Sequence, residues 1–142
     1  MIQRIQSIHL LVAGLLSGVL TQYTSVWTTA SKDVYINDLF SSGITSLLIP
    51  VLFYSSALLS IVTIFLFKNR QLQFVMGRLN ILTNLILLGV LIYVSLTLPG
   101  EASVSEKGIG MFVPVLAILL LFFANRAIKK DEDLVKSVDR LR

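Results

Sequence analysis

Four apolar stretches, each as long as a bilayer crossing, constrain this chain more than any other feature. They run from about Ile5 to Trp27, Leu47 to Phe67, Val75 to Leu98 and Met111 to Ile128. Each holds roughly 18–24 residues, against the ~20 that a helix needs to cross a ~30 Å hydrocarbon layer. A transmembrane strand needs only about 9–11 residues and alternates in polarity. The second stretch, from Leu52 through Phe67, does not alternate. Lipid offers no partner for a bare peptide group, so a single spanning segment must satisfy its own backbone as a helix. The expectation is an all-α integral membrane four-helix bundle, one domain covering residues 1–142. Only 14% of the residues are charged. A water-facing domain usually carries about 25%.

The intervening segments fit this reading. Thr28 to Ser46 is polar and long enough for a short surface helix, Lys68 to Phe74 reads as a tight turn, and Pro99 to Gly110 as a loop punctuated by glycines. Lys129 to Arg142 forms a charged tail. Nothing breaks the helix after Pro114, so the fourth span is expected to continue into the tail as a helical extension. Leu134, Val135, Val138 and Leu141 recur there at helical spacing, with Glu132–Lys136 and Asp139–Arg142 placed to pair. If helical, the tail projects about 21 Å at 1.5 Å per residue.

Orientation follows from the basic residues. Arg4, Lys68, Arg70, Arg78, Arg126, Lys129, Lys130, Lys136, Arg140 and Arg142 fall at one end of the predicted bundle, and only Lys32 and Lys107 at the other. The positive-inside rule puts the first group, and with it both termini, in the cytoplasm. The net charge of +4 therefore reports topology, and nucleic acid is not an expected partner. Arg4, the apolar run and the small residues Thr28-Thr29-Ala30-Ser31 partly match a cleavable signal. The run is long for that role, so it is read as a retained span.

Catalytic chemistry has little to work with. There is no cysteine, and His9 is the one histidine. A zinc site needs three or four ligands, and a Ser–His–Asp arrangement cannot be assembled around a lone interfacial His9. The spans contain no Asp or Glu, whereas proton relays rely on intramembrane carboxylates. No cofactor, metal or catalytic residue is expected. Asn80, Thr83 and Asn84 lie on the third span, with Asn80 and Asn84 one turn apart. They are expected to bond to Ser55, Ser56 or Ser60 of the second span, or alternatively to line a small polar pocket. Gly14 and Gly18 form a small-residue face with Ala13 and Ser17, suited to close helix packing. Pro50 and Pro114 fall near helix starts, where proline is tolerated. Trp27, Tyr23 and Tyr93 are placed as an interfacial aromatic belt.

The most distinctive chemistry gathers on the cytoplasmic rim. Arg4, Lys68, Arg70, Arg78, Asn125, Arg126, Lys129, Lys130, Asp131 and Glu132 converge there with several glutamines. Such a rim suits anionic headgroups and a protein partner.

The opening Met1–Ser7, the turn Lys68–Gln73 with Arg78-Leu79-Asn80, and the ending Ala124–Arg142 resemble a family of small four-helix inner-membrane proteins of Bacteroidota, a domain of unknown function. The tail carries the resemblance best, through Asn125 to Ile128, Lys129, Lys130, Asp131, Glu132, Val135, Ser137, Asp139, Arg140 and Arg142. The resemblance implies a bacterial inner-membrane location and no catalytic residue. In the family the position of His9 is more often aromatic, which speaks against a shared histidine mechanism. The expected function is a non-catalytic accessory or structural subunit of a larger membrane complex, docking through its rim and tail. The alternative is a lipid- or small-molecule-handling protein with a polar intramembrane pocket.

Overall fold

A computed structural model describes residues 2–29, 32–97 and 104–142, with side chains described for 4–29, 32–97 and 108–142. The expectations placed on Ala30-Ser31 and Pro99-Gly100, and on the Gln3 and Lys107 side chains, lie outside these residues. Four helices are long and apolar enough to cross a membrane. The first is α1 (Ile2–Leu15), continued through a wide π-type turn (Leu16–Leu20) into α2 (Thr21–Tyr23). The others are α4 (Ile44–Phe65), α5 (Arg70–Thr97) and α6 (Val113–Arg140). A one-turn helix, α3 (Ile36–Leu39), precedes α4.

Each long helix packs on its sequence neighbours, and α6 closes the ring against α1. Between α4 and α5 a short link enforces this order. The connection from α4 to α5 is a single 3-10 turn, Leu66–Lys68, followed by Asn69. The Asn69 side chain accepts a hydrogen bond from the Leu72 amide at 3.2 Å, which satisfies one of the free N–H groups at the α5 start. The turn is thus shorter than the sequence suggested, because a capping residue starts the helix at Arg70. In this up–down ring the start of α1 and the extension of α6 share one end.

The bundle is apolar outside, and a set of polar side chains is buried within its apolar core. Leu58, Ile61, Phe65, Leu82, Ile86 and Phe123 are all at least half exposed. Gln6, Ser17, Ser56, Ser60, Gln73, Asn80 and Asn84 are buried. A soluble monomer rarely exposes contiguous apolar patches beyond a few hundred Å². Here the apolar surface covers helices such as α4, whose 22 residues extend about 33 Å.

At the end away from the termini the fold departs from an all-helical plan. Three short strands, β1 (Trp27–Thr29), β2 (Asp33–Val34) and β3 (Val104–Lys107), form an antiparallel sheet in the order β2-β1-β3. Trp27 faces Val34 on one side and Lys107 on the other, and the register slips between Thr28 and Thr29. Val26, Trp27, Val34, Ile36 and Leu39 cover a core of Ile49, Phe53, Leu87, Leu91, Val94 and Met111. Trp27 is therefore buried, at 2% exposure, and is not part of an interfacial belt, whereas Tyr23 and Tyr93 are exposed. Pro114 lies in the first turn of α6. Pro50 is buried inside α4, well beyond its first turn, and deprives the Ser46 carbonyl of its helical donor.

Candidate functional site

The interior polar groups of α4 and α5 bond to one another. The Ser56 hydroxyl donates to Asn80 Oδ1 at 2.8 Å. Asn80 Nδ2 donates to the Ser56 carbonyl at 3.1 Å and to Ser60 Oγ at 2.8 Å. Asn84 Nδ2 lies 2.7 Å from Ser56 Oγ, 2.9 Å from the Asn80 carbonyl and 3.1 Å from Asn80 Oδ1. Its two hydrogens serve three acceptors, so one bond is shared. Ser55 and Thr83 take no part. Their hydroxyls donate to Leu52 and Leu79 carbonyls of their own helices. The amide hydrogens of Asn80 and Asn84 and the Ser56 hydroxyl are thus taken up within the cluster, while Asn84 Oδ1 is buried without a partner among the described residues.

Small residues let the helices approach. A Cβ on Gly14 would lie 3.2 Å from Ser60 Cβ, and one on Gly18 would lie 3.1 Å from Ala57 Cβ. The small face of the first span therefore rests on α4. The π-type turn sits at this contact, where the Thr21 hydroxyl donates to the Ser17 carbonyl at 2.8 Å. A third notch was not anticipated from the sequence. A Cβ on Gly77 would fall 2.0 Å from Asn125 Oδ1, so α5 offers bare backbone where α6 inserts its amide. The signal for it was a glycine one turn before the polar face of Asn80 and Asn84, in a stretch of large residues. Nearer the termini, Gln73 Nε2 donates to the Thr63 carbonyl at 3.1 Å. Gln6 Nε2 is buried without a partner.

The rim residues divide into three groups. Arg70 Nε lies 3.3 Å from Asp131 Oδ2, tying α6 to the first turn of α5, where the helix dipole also favours a carboxylate. The contact is an ion pair without hydrogen-bond alignment, since Asp131 Oδ2 makes no directed bond. Arg4 and Lys68 are exposed and unpaired with any carboxylate among the described residues. Arg78, Asn125, Arg126 and Lys129 share a groove between α5 and α6 with Phe74, Ile81 and Phe122, about 260 Å³ in volume. Arg78 stacks over the Phe74 ring at 4.3 Å. Asn125 is buried yet makes no hydrogen bond to a described residue.

Beyond the rim, α6 runs unbroken to Arg140. Its stripe of Leu134, Val135, Val138 and Leu141 is exposed. Glu132 accepts from Lys136 Nζ at 2.7 Å, and this hydrogen bond holds the Lys136 ammonium above the ordinary lysine pKa. The Asp139–Arg142 pair anticipated from spacing does not form. Lys130 is exposed. His9 Nδ1 lies 2.7 Å from the Ile5 carbonyl, so the ring donates to its own helix and faces no carboxylate.

One family model, described as a domain of unknown function (DUF4293), matches residues 2–141. No curated protein and no solved structure matches the chain.

Proposed function

We propose, on the premise that the chain belongs to the DUF4293 family, that it is a non-catalytic accessory or structural subunit of a larger complex in a bacterial inner membrane. In this reading the four long helices cross the bilayer and both termini face the cytoplasm. The apolar exterior of the long helices supports insertion, and the ten-to-two division of Lys and Arg between the ends supports the orientation.

The observation that carries the docking role is the extension of α6. From Lys129 to Arg140 it projects about 18 Å at 1.5 Å per residue. It leaves Leu134, Val135 and Val138 exposed at i, i+1 and i+4. Such a stripe suits an apolar groove on a partner. The flanking rim of Arg4, Lys68, Arg70, Arg126, Lys129 and Lys130 supplies charge that orients the encounter. Membrane lipids and other membrane subunits are the partners in this reading, and nucleic acid is not.

Purification of the tagged chain in mild detergent tests it. A reproducible set of co-purifying subunits is expected, lost on Val135→Asp/Val138→Asp or Arg126→Glu while the chain still resists carbonate extraction. Recovery of the wild-type chain alone as a monomer, or unchanged co-purification of the variants, overturns the reading.

A further inference from the structure

The groove between α5 and α6 shares Arg126 and Lys129 with the docking rim, but it joins them to Arg78, Asn125 and an apolar lining that tail docking does not use. At its rim end stand three cations, Arg78, Arg126 and Lys129, with Asn125 between them. None of the three cations forms an ion pair with a described carboxylate. Phe74 holds the Arg78 guanidinium by its ring face, 4.3 Å from the centroid, and so limits where that charge can point. Asn125 is pressed against Gly77 with no hydrogen-bond partner for its buried Oδ1. That oxygen is an acceptor and does not bind an anion, but the Asn125 amide nitrogen, on the same groove lining, is a donor with no described partner beside three unpaired cations.

Away from the rim the same seam becomes apolar. Ile81 and Phe122 line its inner end. Leu85 on α5 and Leu119 on α6 follow one turn further along each helix, both half exposed. The order is therefore positive charge and an amide at the bundle end, then exposed apolar side chains on the outer flank. A soluble anion needs only the first part. A glycerophospholipid needs both.

We infer that this groove binds the phosphate of one anionic glycerophospholipid, with an acyl chain lying along the α5–α6 seam. Arg78, Arg126 and Lys129 surround the phosphate and the Asn125 amide donates to it. The inference rests on the membrane placement proposed above and not on tail docking, so the Val135→Asp/Val138→Asp variant separates the two.

The test uses the full chain in detergent, with dioleoyl phosphatidylglycerol as probe and dioleoyl phosphatidylcholine as the zwitterionic control, read by native mass spectrometry. Phosphatidylglycerol is expected to be retained at one copy per chain. Each Lys or Arg near a headgroup contributes enough that Arg126→Gln weakens retention about fivefold, and Arg78→Gln/Arg126→Gln/Lys129→Gln on the order of a hundredfold. The exposed Lys136→Gln/Arg140→Gln variant, which removes two charges outside the groove, retains the lipid as the wild type does. Equal retention of both lipids, or equal loss in the groove and tail variants, overturns the inference. So does displacement of the lipid by millimolar inorganic phosphate, which makes the groove a site for soluble anions.

Discussion

Residues that look alike in this sequence take different roles according to which helix they face. Asn80 and Thr83 sit three positions apart on α5, yet Asn80 bridges to α4 and Thr83 bonds its own backbone. Asn80→Ala takes the acceptor from the Ser56 hydroxyl and the donor from Ser60 Oγ, and is expected to destabilise the bundle by about 1–2 kcal/mol. Thr83→Ala is expected to stay within about 0.5 kcal/mol. Detergent unfolding titrations compare the two, and equal costs refute the bridging role. At the Gly77 notch, Gly77→Ala drives a methyl into Asn125 and is expected to cost about 1–3 kcal/mol. Adding Asn125→Ala removes the clash, so the double variant is expected to recover most of the loss. Additive costs would show that Gly77 and Asn125 do not meet.

At the scale of elements, two features hold the ends of the helices. The sheet end depends on close backbone approach. The Gly108 and Gly110 amides donate to the Val26 and Ser25 carbonyls at 3.0 and 2.9 Å. A Cβ on Gly108 would come within 2.2 Å of the Ser25 carbonyl oxygen. That atom belongs to the backbone and cannot rotate away. Gly108→Ala is therefore expected to detach β3 from β1, seen as faster exchange of the amides at positions 108 and 110, which donate to Val26 and Ser25, with the long helices still protected. At the other end, α6 joins bundle to tail without a hinge. Lys130→Pro is expected to weaken the helix there by about 3 kcal/mol. Paired spin labels at the exposed Phe123 and Ser137 positions would report this as a broadened distance distribution, with the bundle intact. An unchanged distribution would mean that the tail is held by contacts other than helix continuity.

For the whole molecule, the proposed topology makes a direct prediction. The chain has no cysteine, so single cysteines can be placed without background. In intact inner-membrane vesicles or spheroplasts, Ser137→Cys is expected to react only with reagents that reach the cytoplasm. Asn37→Cys, in α3, is expected to react with impermeant reagents from the opposite side. Both positions labelled from the same side would remove the orientation on which the docking and lipid readings rest. The half-exposed Leu, Ile and Phe side chains of the long helices support insertion, and the labelling decides the side.

The number, length and helical character of the long segments were legible in the sequence, because hydropathy and the absence of breakers are local properties. The continuity of α6 past Ile128 and the Glu132–Lys136 pair were legible for the same reason: they depend only on spacing within one helix. The candidate rim was legible as a set of residues, but its division was not. Whether Arg70 meets Asp131, or Arg78, Arg126 and Lys129 share a groove, depends on how far α5 and α6 are rotated and shifted against each other. That registry also decided that Ser56 and Ser60 bond to Asn80 and Ser55 does not, and that Gly77 receives Asn125. The sheet and the burial of Trp27 needed segments about 75 residues apart to meet, and no local pattern encodes that encounter. Local solvation sets what crosses a bilayer, and side-chain fit between distant segments sets what each residue touches once it is there.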